Sequence, residues 1–130
     1  MDTFTLLFLI GAALVGPILI YIVVNREPTG SPLAAAGLSI AFALFTAFTI
    51  AREGVGQVIA NHNLNYWGTQ VWYDLLIAVS IALFFILPRA RAAGMHVVPW
   101  TIFVALTASI GLLAMVARLF WLERHAARTA

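Results

Sequence analysis

The chain has no cysteine and no lysine, and its seven basic residues, all arginine, face only five acids. Without cysteine there is no disulfide framework, no thiolate metal site and no cysteine nucleophile. Charged residues make up 9% of the 130, against 63% hydrophobic ones, with a mean hydropathy of +1.01. A soluble domain of this length cannot bury that much apolar surface, so lipid is the expected solvent and the bilayer the first expected partner. The arginine excess suits loops facing anionic headgroups and is no argument for nucleic acid. There is no P-loop, no dinucleotide fingerprint and no nucleophile elbow, and no cofactor is expected.

Four apolar runs each approach the roughly 20 residues that cross a hydrocarbon core of about 30 Å. The expected fold is therefore all-α, a polytopic integral membrane protein forming one domain over 1–130. Its four-transmembrane-helix bundle would use helices at about 4–24, 33–51, 71–88 and 98–122. The first run follows Asp2 rather than a basic stretch and is long for a signal sequence, so it is expected to be a retained helix. Pro17 after Gly16 should kink it. Along the second run, Gly37 and Ala41, then Ala43, Ala47 and Ala51, repeat small residues every four positions and form a packing seam.

The one long connection, Arg52 to Gln70, is polar and aromatic. Val55, Val58 and Ile59 have the spacing of a short amphipathic turn, and Tyr66, Trp67, Trp72 and Tyr73 suit the headgroup level. Four alternating spans would set Arg52, Arg124 and Arg128 against Arg26, Arg89 and Arg91, nearly a tie by the positive-inside rule. Arg118 counted with the tail tips it toward both termini in the cytoplasm.

The same alternation gathers Arg52, Glu53, Asp74 and Arg118 at one end of the bundle. A charge inside a span costs at least a few kcal/mol near the bilayer centre, so such residues face inward and find partners. Asp74 with Arg118 is the expected pair. Trp67 and Gln70 precede Asp74 by seven and four positions and share its helix face. With His62, Trp72 and the loop asparagines they would line a pocket open to one interface. Asp74 and Glu53 are the candidate acid and base; Arg118, Arg52, His62, Trp67, Gln70 and Trp72 are the candidate ligand-binding residues. An interhelical ion pair with an aromatic belt is the competing structural account. No histidine lies in a span to ligate haem, and His62 alone is a poor metal site. Mid-span hydroxyls such as Thr49 and Ser80 ordinarily bond the preceding turn's carbonyl.

From about Trp67 to Glu123 the chain resembles a family of small bacterial membrane proteins classed only as a domain of unknown function. The resemblance rests on Asp74-Leu75-Leu76-Ile77-Ala78, on Arg89-Ala90-Arg91-Ala92-Ala93-Gly94-Met95, on Trp100 and on Arg118 to Glu123. It implies four helices and a bacterial membrane, and brings no activity. Three functions are compatible with these features. One is an accessory or assembly subunit held by the small-residue faces of the first two helices, in a larger complex or a homo-oligomer. A second is a membrane-embedded enzyme or binder of a lipophilic, isoprenoid-like ligand. The third is a small dual-topology transporter or channel, against which stands the lack of a mid-span acid.

Overall fold

The computed structural model describes residues 1–130 and contains only helices, arranged in two compact units, Met1–Gly30 and Ser31–Ala130. The first unit holds α1 (Thr3–Val24). Asp2 caps it: Oδ1 accepts the Thr5 N–H at 2.9 Å and Oδ2 accepts the Thr5 hydroxyl at 2.7 Å. These bonds, the hydroxyl's foremost, hold the exposed Asp2 carboxyl below its ordinary range. The helix continues through Pro17, and none of its residues is buried. A helix apolar on every side needs lipid or protein around it.

The second unit contains α2 (Pro32–Glu53), α3 (Gln57–His62), α4 (Tyr66–Ala92), α5 (Val97–Thr107) and α6 (Ser109–Thr129). In the whole chain α1, α2 and α4 are long and apolar enough to cross a membrane; α5 is apolar but has only 11 residues. Caps mark the starts. Ser31 Oγ accepts the Ala34 N–H ahead of α2, with Pro32 at the first helical position. Asn65 Oδ1 accepts the Gly68 N–H at 2.8 Å, which starts α4 five residues before the expected 71.

The expected span over 98–122 is not one helix. It breaks at Ala108, whose φ of 52° and ψ of −114° make it the one non-glycine residue with positive φ. Beyond the break the chain doubles back. A Cβ placed on Gly111 would lie 2.9 Å from both the Phe103 carbonyl oxygen and the Val104 Cα, and 2.6 Å from Thr107 Oγ1. In a continuous helix, residues 104 and 111 would be separated by about 10 Å along the axis. The close contact therefore defines a tight antiparallel hairpin in which only glycine fits at 111. Polar groups at the turn are matched: Thr107 Oγ1 donates to the Phe103 carbonyl at 2.8 Å and accepts the Gly111 N–H at 2.9 Å. The Ser39 hydroxyl donates to the Ile110 carbonyl at 2.8 Å.

The hairpin builds the core. Val104, Met115 and Leu119 are fully buried and cluster with Ala90 and Met95, with Leu83, Val97, Trp100 and Leu122 packed around them. The bend from α4 into α5 is a Schellman motif: the Gly94 N–H bonds to the Arg91 carbonyl at 3.0 Å and the Met95 N–H to that of Ala90 at 2.9 Å. Gly94 takes the left-handed conformation there, at φ 79°. α2 packs chiefly on α6, with Ala35 and Ser39 as its buried residues. Of the expected seam, Gly37, Ala41, Ala47 and Ala51 are exposed and only Ala43 is half-buried.

Replacing Ala108 by glycine removes the strain of an L-residue at positive φ and should stabilise the protein by up to about 1 kcal/mol. Gly111→Ala should destabilise it by about 1–3 kcal/mol through overpacking. Equilibrium unfolding in mixed micelles reads both. The reverse result, with Ala108→Gly destabilising and Gly111→Ala stabilising, would show that α6 does not fold back on α5.

Candidate functional site

The end of the second unit that holds α3 is a compact corner. Any side chain on Gly68 would overlap the Asn61 carbonyl, so the glycine allows α3 to lie against the start of α4. The Thr69 hydroxyl reaches the His62 and Asn65 carbonyls at 3.2 and 3.1 Å. The His62 ring sits edge-on to Trp72 at 5.3 Å, with Nδ1 against the Val58 carbonyl. His62 and Trp72 thus pack on each other and stay out of the neighbouring cleft. Val55, Val58 and Ile59 are exposed, as suits a segment lying in an interface.

Trp67, Gln70 and Asp74 do share a face. With Val71, Tyr73 and Ile77 they line a shallow cleft of about 420 Å³ made by α4 alone. Every residue from Gln70 to Asp74 is exposed. Within the second unit the Asp74 carboxylate has no hydrogen-bond or ion-pair partner. Glu53, the other candidate acid, ends α2 exposed and outside this cleft, and Arg52 lies over the Phe48 ring at 5.3 Å. The corner therefore brings together the face of Trp67, Gln70 and Asp74 but not a pair of carboxylates.

Arg118 belongs elsewhere. Its guanidinium lies 4.8 Å over the Trp121 ring, and the expected pairing with Asp74 is not formed. The reason is the break at Ala108, which sends α6 back toward the end of α4. The ion pair that does form joins Arg89 to Glu123. It is a two-pronged contact, Nε to Oε1 at 3.0 Å and Nη2 to Oε2 at 2.7 Å. Sequence reasoning set these two residues on opposite sides of the membrane.

A second cleft, of about 560 Å³, lies beside this pair, lined by Arg89, Ala92, Ala93, Leu122, Glu123, His125, Ala126 and Thr129. His125 stacks on Trp121 at 4.1 Å between ring centres. No three His, Asp or Glu side chains are grouped so as to hold a metal ion. No family model matches the chain, and no curated protein or solved structure is similar enough to match it.

The Arg89–Glu123 contact is partly exposed, so in water it would be worth about 1 kcal/mol or less. Glu123→Gln should lower stability by about that amount, and exchanging the charges in an Arg89→Glu, Glu123→Arg double variant should recover most of it. Double-mutant unfolding measurements check this; strictly additive effects would mean the two side chains do not interact.

Proposed function

We propose that this chain is a subunit of a larger membrane assembly and that it docks on a partner through the outer half of α4. The observation that carries this reading is Asp74, an exposed carboxylate without a partner on a helix apolar enough to span a membrane. Ionisable groups on such helices face protein and pair, so the missing cation belongs to another chain. The apolar surface of α1 and the exposed small-residue face of α2 support the same reading. The cleft of Trp67, Gln70 and Asp74 favours, as second reading, a binder of a lipophilic, isoprenoid-like ligand. An enzyme gains no support from Glu53, which stands apart from that cleft.

The membrane is a bacterial inner membrane in this proposal, following the resemblance over residues 67–123. The long apolar helices each cross once, while α5 and α6 enter and leave by the same face. At about 1.5 Å per residue α5 reaches about 15 Å, half of the roughly 30 Å core. Arg26, Arg89, Arg91, Arg118, Arg124 and Arg128 then share one side and Arg52 alone takes the other. The near tie becomes a clear majority, and the positive-inside rule assigns that side to the cytoplasm. The C-terminus is inside and the N-terminus outside, in place of two cytoplasmic termini. So lopsided an arginine count speaks against a dual-topology transporter.

Both parts are testable. The wild-type chain, extracted in mild detergent, should carry a stoichiometric membrane partner that Asp74→Asn loses while remaining folded; a lone wild-type monomer would refute the subunit reading. The cysteine-free sequence allows single cysteines to be labelled selectively. On intact cells an impermeant maleimide should modify Thr3→Cys, but Ala130→Cys only after permeabilisation, and identical labelling of the two sites would overturn the orientation.

A further inference from the structure

The end of the second unit where α4 stops, α5 starts and α6 finishes carries more positive charge than its ion pair uses. Arg89 and Glu123 neutralise each other. Arg91, Arg124 and Arg128 are exposed and have no hydrogen-bond or ion-pair partner. Between the ends of α4 and α6 runs the cleft of about 560 Å³. Its lining has two parts: Ala92, Ala93, Leu122 and Ala126 are apolar, while the paired Arg89 and Glu123, His125 and Thr129 are polar, the Thr129 hydroxyl donating to the His125 and Ala126 carbonyls.

An apolar wall beside donors and unpaired arginines matches a molecule with a hydrocarbon chain and an anionic head. The carboxylate of Glu123 would repel such a head if it were free, but the guanidinium of Arg89 holds both its oxygens. Arginine suits the task because its planar fork bonds two phosphate oxygens at once. A zwitterionic headgroup would bring its own cation against the three unpaired arginines, so the charge balance selects a lipid of net negative charge.

We propose that this cleft is a binding site for an anionic phospholipid, with the phosphate beside His125 and among Arg91, Arg124 and Arg128, and an acyl chain against Ala92, Ala93 and Ala126. The site is separate from the Asp74 face and does not depend on the subunit reading.

Native mass spectrometry of the full chain, from micelles doped with phosphatidylglycerol or with phosphatidylcholine, tests the site. Selective retention of phosphatidylglycerol is expected. At about fivefold per arginine near the surface, an Arg124→Gln, Arg128→Gln double variant should bind about thirtyfold more weakly. Arg91→Gln, on a different helix, should lose about fivefold alone, which a defect confined to the α6 tail would not produce. Arg52→Gln, beyond the core on α2, should bind as wild type. Equal retention of the two lipids, unchanged binding in the Arg124 and Arg128 variant, or an equal loss with Arg52→Gln would overturn the proposal. So would displacement of the lipid by millimolar inorganic phosphate, which would make the site one for free phosphate.

Discussion

The close passage of α5 against α6 at Gly111 is the constraint on which the rest of residues 31–130 depends. It asks an alanine to adopt a left-handed backbone, at about 1–2 kcal/mol. What opposes that cost in lipid is contact and hydrogen bonding rather than exclusion of water. Each pair of atoms in van der Waals contact contributes only about 0.1–0.2 kcal/mol, but a buried side chain makes dozens of such contacts. Val104, Met115 and Leu119 are all fully enclosed, and the Thr107 hydroxyl takes up an amide that the turn would otherwise strand.

From this one reversal the distribution of charge follows. The end of α6 returns to the end of α4, so Glu123 meets Arg89 and the tail arginines join those of the α4–α5 bend. Because the hairpin is shorter than a span, it covers only the second half of α4: Val79, Leu83, Ile86 and Leu87 touch the core, whereas the turns around Asp74 do not. Half of α4 serves the fold of this chain. The other half carries a tryptophan, an amide and a carboxylate on a face whose cleft no other helix of the second unit lines.

Apolar run length was enough to locate α1, α2 and α4, because backbone satisfaction in lipid leaves helix as the only form for such runs. The helical repeat was enough to group Trp67, Gln70 and Asp74. The early start of α4 was marked by Asn65, a cap residue whose signal is easily lost among Asn61 and Asn63. The break at Ala108 had no such mark. Alanine is the strongest helix former, and hydropathy averaged over a span does not register one residue. Gly111 was the single local clue, and a lone glycine in an apolar run has several explanations. Arg118 and Glu123 were misplaced together because their position depends on that break, while their own surroundings in the sequence are unremarkable.

The reversal at Ala108 has an electrostatic side as well. A helix carries about half a unit of negative charge at its C-terminus and about half a unit of positive charge at its N-terminus. In this hairpin the C-terminus of α5 and the N-terminus of α6 are separated by a single residue. The two partial charges sit side by side and largely cancel. The tip of the hairpin therefore presents no net field to attract an ion, and a chain can hold it deep in a low-dielectric surrounding without a counter-charge. A pair of half-helices that met tip to tip from opposite sides would concentrate charge of one sign; this arrangement disperses it, which suits a packing element better than a conduit.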